Sequence, residues 1–294
     1  MKVAVTGGTG FIGQNLVRTL SESGHRVSVI SRRGGAREGE GENVVYVKGD
    51  VHDVESLKSA LEGIEVVYHL VGIIAETKTL TFEKTVIGGT KNLIAACRLN
   101  GVKKIIYLSA LGTSASTDTR YFQSKWAAEE IIRNSGIPYT IFRPSVVFGP
   151  ADKFINMLAR MVKLSPLVPI VGNGRALLQP LYIGDLTLML KDTLTNEKAA
   201  NRIIEIGGPE QLDYRQLIAI IKKVLNKKRL NLYIPMWFMK FAATLLEAVL
   251  KPAPLTRDQL KMLKTGNICS NIEAQKIFDI KLTRLEDALK EYLR

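Results

Sequence analysis

Tyr121 and Lys125 stand four residues apart in a stretch with helical spacing, which puts a phenol and an ammonium on one helix face. A phenol titrates near ~10 in water and is a poor base at neutral pH. A neighbouring ammonium favours the phenolate, so Tyr121 is expected to relay a proton to a carbonyl or alcohol oxygen. A second cluster opens the chain, where Thr6–Gly13 reads T-G-G-T-G-F-I-G. There Gly7 allows a tight turn, Gly10 lets backbone approach a diphosphate, and Gly13 lets helix and strand pack closely. Helix-start N–H groups and the macrodipole favour the anion. Gly7, Thr9, Gly10, Phe11, Ile12 and Gly13 are therefore the candidate phosphate cradle.

The elements that must position these groups alternate. Short apolar, β-branched runs at Val3–Val5, Arg26–Ile30, Val44–Val47, Val66–Leu70, Lys104–Leu108 and Tyr139–Phe142 read as strands buried on both faces. Ile12–Glu22, Val54–Leu61, Thr79–Asn100 and Tyr121–Ser135 read as helices, several closed by glycine (Gly24, Gly63, Gly101, Gly136). Repeated βα units predict an α/β fold, a doubly wound parallel sheet of Rossmann type, with the ligand crevice at the carboxyl ends of the strands. After Pro150 the rhythm changes: a helix at Lys153–Leu164, a Pro- and Gly-rich loop, a strand at Ile203–Ile206, then a basic helical third. The expected partition is a dinucleotide-binding domain over 1–150 plus about 178–208, and a smaller substrate or partner lobe over about 151–177 plus 209–294.

The spacing G-x-x-G-x-x-G resembles the extended or atypical branch of the short-chain dehydrogenase/reductase superfamily, the NAD-dependent epimerase/dehydratase group. Further motifs carry the likeness. Asp50-Val51 resembles the segment that contacts the adenine, and Leu70-Val71-Gly72, after His69, the segment that lines the cofactor. Tyr121-x-x-x-Lys125 matches the catalytic pair, in which the lysine also contacts the nicotinamide ribose, and Pro144-Ser145-Val146 falls in the stretch beside the nicotinamide. Leu181–Asp185 and Pro254–Leu260 extend the resemblance, which is closest to the nucleotide-binding accessory subunit of respiratory complex I and its prokaryotic relatives. Two positions depart from the pattern. The resemblance implies a hydroxyl after the fifth strand that polarises the substrate oxygen; Ser109 is the candidate, although Leu111 falls at the commoner position. Val86 stands where many relatives have Asn, which removes the expected support of a water relay.

The second strand should end at the adenosine ribose, where a carboxylate selects a free 2′-hydroxyl. Here the stretch reads Ser31-Arg32-Arg33 and holds no acid, with Arg37 close behind. Guanidinium groups grip a phosphate bidentately, so NADP is the expected cofactor and NAD the less favoured one.

Composition bounds the rest. The chain has 294 residues, with 41 basic and 28 acidic, a formal charge of +13. Cys97 and Cys269 are too few for a disulfide framework, and His25, His52 and His69 lack ligand spacing, so no metal site is expected. The opening strand predicts no leader, and no window reaches the roughly 20 apolar residues of a membrane span, so the cytoplasm is the expected compartment. From Tyr214 to Leu246 there are seven bases and no acid, around the apolar run Pro235–Phe241. Spacing favours a lobe helix that buries its apolar face with lysines outside; the alternative is peripheral association with an anionic membrane or a membrane complex. No nucleic-acid-binding motif accompanies the basic charge, so nucleic acid is not an expected partner. The expected function is NADP(H)-dependent oxidoreduction of a small carbonyl or alcohol. The alternatives are an NADPH-binding accessory or sensor protein and a nucleotide-sugar epimerase or dehydratase.

Overall fold

The computed structural model describes residues 1–34, 43–249 and 256–293. Its centre is a seven-stranded sheet. Strands β1 (Lys2–Thr6), β2 (Arg26–Ser31), β3 (Val44–Lys48), β4 (Val66–His69), β5 (Lys104–Leu108) and β6 (Tyr139–Pro144) are joined by the late strand Arg202–Ile206. All pairings are parallel, in the order β3–β2–β1–β4–β5–β6 and then Arg202–Ile206 beside β6. The order reverses between β1 and β4, which opens the crevice at their carboxyl ends. Thr6 pairs with both Ile30 and His69, and His69 with Tyr107, so the loops leaving β1, β4 and β5 emerge side by side.

Side-chain alternation fixes the layers. Val3 and Val5 face α1 (Phe11–Glu22), packing with Leu16, Leu20 and Tyr68. Ala4 and Val67 face the other way, onto Leu57 of α2 (Val54–Ala60), Leu93 of α3 (Gly89–Leu99), and Ala128 and Ile132 of α4 (Arg120–Arg133). Each fully buried aliphatic side chain contributes roughly 1.5–3 kcal/mol. The helix expected over Thr79–Asn100 starts at Phe82 and changes pitch: Phe82–Gly88 is π-helical and runs directly into α3 at Gly89. At the junction a Cβ on Gly89 would sit 3.1 Å from the Val51 side chain, and the Thr90 hydroxyl donates to the Val86 carbonyl at 2.6 Å.

A third core joins Phe148 to Ile155 of α5 (Phe154–Leu164). α6 (Ile183–Asp192) instead packs on α1 over the sheet, through Leu186 and Met189. The third core continues with Leu217 and Ile221 of α7 (Tyr214–Val224), which Asp213 and Gln216 cap reciprocally. Then come α8 (Met236–Val249), α9 (Arg257–Thr265), α10 (Ile272–Ile277) and α11 (Leu285–Tyr292). Leu285 and Leu289 complete the third core. Residues 274 and 278, which the sequence assigned to the smaller lobe, return to the sheet instead: Ala274 and Phe278 are buried in its first core, and Phe278 stacks on Phe142 with centroids 5.7 Å apart. The apolar stretch expected to be buried is exposed along one side of α8, with Trp237 70% and Phe241 66% accessible. Among the described residues no helix is long and apolar enough to cross a membrane.

Candidate functional site

β1 ends in the glycine turn. Gly7 has φ +76°, and a Cβ there would lie 2.9 Å from the Leu70 backbone, so only glycine fits. A Cβ on Gly13 would lie 2.2 Å from the Gly7 carbonyl oxygen, closing the loop against the first turn of α1. Gly8, not singled out in the sequence, is also constrained, by a side chain: its Cβ would meet Val29 at 2.7 Å. The doubled glycine of T-G-G was the available signal. Gly10 is exposed and caps α1 with no side-chain hydrogen bond, and the first turn carries no acid. Beside exposed Thr9, the helix-start N–H groups of Phe11 and Ile12 thus meet no capping side chain, which is the arrangement that binds a phosphate.

At the far end of the crevice, the Ser31 hydroxyl accepts the Gly34 N–H at 3.2 Å and shapes the turn after β2. Arg32 and Arg33 are exposed on that turn and carry no ion pair among the described residues. Arg37 lies outside the described residues. The Asp50 carboxylate accepts the His52 N–H at 3.0 Å and pairs with its Nδ1 at 3.1 Å. Val51 is buried, and its carbonyl is held by the Asn92 amide at 2.9 Å, a contact that the sequence did not reveal.

Beneath the loop after β4 lies a neutral polar chain. Thr6 Oγ1 and His69 Nδ1 are 2.7 Å apart, and His69 Nε2 is 3.2 Å from Thr90 Oγ1. Because Thr90 gives its proton to Val86, it accepts from Nε2–H, and Nδ1 accepts from Thr6. Burial holds the His69 imidazole neutral, down to about 3. Leu70 donates its N–H to Thr6 at 3.0 Å, Val71 follows, and Gly72 meets the catalytic-type lysine.

Lys125 is buried on α4. Its ammonium donates to the Leu108 carbonyl at 2.8 Å and lies 4.8 Å from the centroid of the Tyr107 ring. Burial brings it down to about 8, with Glu129 pulling the other way. Tyr121, one turn earlier, sits between Phe82 (6.2 Å) and Phe122 (5.2 Å). The sequence led us to expect an ammonium-lowered phenol. Burial instead pushes Tyr121 up to about 12, while the nearby ammonium is engaged by a backbone carbonyl.

Ser109 follows β5 and is buried. Its hydroxyl donates to Glu129 Oε1 at 2.5 Å, so its proton is committed and does not reach a substrate oxygen while that bond lasts. Glu129, with no exposure, takes a bidentate pair from Arg143 (Nε 3.0 Å, Nη2 2.6 Å), and Arg143 also reaches Glu205 at 3.3 Å. Neither Glu129 nor Arg143 was recognised from spacing, since they come from different elements. Pro144 accepts the Leu111 N–H at 3.0 Å, and Val146 accepts that of Leu181 at 2.9 Å. Ser145 Oγ lies 2.9 and 2.7 Å from the carbonyl and side-chain oxygens of Asn267, whose amide reaches the Leu111 carbonyl at 3.4 Å. A C-terminal residue thus ties the ends of β5 and β6, a link no sequence signal announced. Among the described residues no three His, Cys, Asp or Glu side chains cluster as a metal site.

A glycine turn, an uncapped helix start and the buried lysine of α4 that bonds the end of β5 lie along one crevice of a doubly wound α/β fold. Residues 3–207 match the NAD dependent epimerase/dehydratase family, and the chain belongs to that family. Among relatives, it is 28% identical to the NADH dehydrogenase [ubiquinone] 1 alpha subcomplex subunit 9, mitochondrial, of Arabidopsis thaliana, over 95% of this chain and 73% of that protein. Among solved structures, an epimerase of Methanothermobacter thermautotrophicus superposes with TM-score 0.80 at 22% identity, covering 99% of this chain and 90% of the other. The UDP-glucuronic acid 4-epimerase of Bacillus cereus, solved with UDP-glucuronic acid and NAD, gives TM-score 0.75 at 23% identity, covering 100% and 99%. At these identities the solved structures speak for the fold.

Proposed function

We propose that this chain is an NADP(H)-dependent oxidoreductase that reduces a carbonyl substrate, with Tyr121 donating the proton to its oxygen. The observation that carries the reading is one unbroken line of contacts. Gly7 lies against Leu70 and Val71, Gly72 lies against the Lys125 ammonium, and Lys125 bonds the end of β5. A dinucleotide laid along it would have its diphosphate at Gly7–Gly13 and its nicotinamide ribose at Lys125. The cofactor supplies the hydride. Carbonyl plus hydride plus proton gives the alcohol; Tyr121 supplies the proton and regains one from water.

A phenol pushed up to about 12 is protonated at neutral pH, so Tyr121 holds the proton that a carbonyl oxygen takes up on reduction. Exposed Arg32 and Arg33, which carry no ion pair among the described residues, favour the 2′-phosphate of NADP; the Bacillus cereus neighbour holds NAD. In our reading Ser109 supports the site by holding Glu129 and Arg143, and Asp50, Val51, Ser145 and Val146 line the cofactor path. The test is Tyr121→Phe: turnover should fall by about a hundredfold or more while NADPH affinity stays within about twofold.

Two observations favour a second reading, a nucleotide-binding accessory protein. The Ser109 proton is committed and Val86 replaces the expected Asn, so two aids to proton transfer are missing, as suits a chain whose relatives include subunits of the mitochondrial NADH dehydrogenase. In that case Tyr121→Phe changes no rate, and removal of NADPH lowers thermal stability.

A further inference from the structure

Among the described residues, α8 carries a run of exposed apolar side chains. Along α8, Trp237, Phe241, Leu245 and Val249 recur every four residues and are 70%, 66%, 58% and 72% exposed, which makes one outward stripe. The strand that leads into α8, Leu230–Ile234, pairs in parallel with Leu167–Val171. It adds exposed Leu230 and Leu232, and Leu230 lies opposite exposed Leu167. Monomeric soluble proteins seldom leave so contiguous an apolar face uncovered.

Its surroundings are positive. Lys227, Lys228 and Lys240 are exposed with no ion pair among the described residues, and no acid occurs from Tyr214 to Leu246. The other bases of this stretch are engaged: Lys223 by Glu286, Arg215 by Asp213, Lys222 and Arg229 by backbone carbonyls. A helix of 14 residues is shorter than the roughly 20 that span a bilayer. An exposed Trp and Phe stripe beside free lysines lies in an anionic interface. A second copy fits poorly, because two-fold pairing through this face would bring like-charged lysines together.

The same helix is wired to Tyr121. Glu247 of α8 accepts the backbone N–H of Arg257 at 2.8 Å and pairs with its guanidinium at 2.7 Å, which anchors α9. Asp258 of α9 accepts the Arg120 N–H at 3.2 Å, and Arg120 directly precedes Tyr121. Arg120 also pairs with Glu76 at 2.7 Å and lies over the Phe82 ring, whose other neighbour is Tyr121.

We infer that the α8 face seats the protein on an anionic bilayer and that the site draws from it a carbonyl substrate with a long apolar tail. This rests on the reductase reading for its chemistry, and the hydride and proton are those given above. Seated this way, a tail can stay in the lipid while its carbonyl reaches the phenol of Tyr121, which packs between the buried rings of Phe82 and Phe122.

The experiment uses the whole chain with vesicles of phosphatidylcholine alone or with phosphatidylglycerol. Anionic vesicles should bind at least about tenfold more tightly, salt should weaken the binding, and Trp237 emission should shift to the blue. The exposed double variant Phe241→Ser/Leu245→Ser should lose about tenfold or more of vesicle affinity with NADPH binding unchanged. With NADPH, a long-chain methyl ketone in those vesicles should be reduced at least about tenfold more efficiently than acetone, and the double variant should lose that preference. Indifference to anionic lipid, or a dimer that shields Trp237, overturns the inference. So does equal turnover of the long and short ketones. Vesicle binding abolished by the double variant, with no ketone reduced, supports the membrane face and counts against the reductase reading.

Discussion

The Lys125 ammonium packs against Gly72: a Cβ there would lie 3.1 Å from Nζ and 3.6 Å from Cε. The absence of a side chain in the loop after β4 lets a buried cation reach the carboxyl end of β5, where Leu108 fixes it at 2.8 Å.

Gly72→Ala therefore tests position without removing charge. The obstacle is the far end of a flexible side chain, so the fold should tolerate the methyl with a loss under about 1 kcal/mol. Displacing the ammonium should lower NADPH affinity or kcat/KM by about tenfold. Thermal melts and a fluorescence titration check both; unchanged binding and rate would remove Lys125 from the cofactor path.

At Gly13 the obstacle is backbone, 2.2 Å from a would-be Cβ, and backbone does not yield cheaply. Gly13→Ala should cost about 2 kcal/mol by chemical denaturation, far more than Gly10→Ala, whose Cβ meets only the Gly7 oxygen at 3.3 Å and which should act on dinucleotide binding instead. Equal effects at the two glycines would contradict the described turn.

Lys125 also gives stability a pH signature. Burial lowers it from 10.5 to about 8, so between those values the unfolded chain holds a proton that the folded chain has released. Stability from this group rises with pH across that window and is lost as pH falls through about 8. The full effect is on the order of 3 kcal/mol. In Lys125→Met this slope should vanish, stability at pH 7 should not fall, and NADPH binding should weaken. Denaturant melts from pH 7 to 10.5 would show it; an unchanged slope in the variant would contradict the burial.

Ser109 and Arg143 separate support from chemistry. Ser109→Ala leaves Glu129 its bidentate partner, so stability should drop by about 1 kcal/mol and turnover by less than about tenfold. Arg143→Ala strands a carboxylate that has no exposure and should cost about 3–5 kcal/mol. A loss of about a hundredfold or more in Ser109→Ala with the fold intact would make its hydroxyl part of the chemistry after all.

The sheet was legible because its signals are local: strand-length apolar runs, glycine stops and a phosphate turn between a strand and a helix. The glycine cradle and Tyr121 with Lys125 were legible for the same reason, since each is a short-range pattern. What escaped depends on distant partners. Glu129, Arg143 and Ser109 meet from α4, β6 and the end of β5, so spacing could not announce that the serine proton is taken. Asn267 reaches Ser145 across 122 positions. The π-helical turn at Phe82–Gly88 has no spacing signal, and the Tyr121 pKa follows from burial, which a neighbouring lysine in the sequence does not reveal.

Calorimetric titration of the intact protein with NADPH and NADH at one salt concentration bears most directly on the whole account. A cradle at Gly7–Gly13 with exposed guanidiniums at Arg32 and Arg33 should bind both, NADPH about tenfold or more tightly, with the advantage lost in Arg32→Ser/Arg33→Ser. Heat from neither nucleotide would contradict the cradle, and equal affinities would contradict the arginine clamp.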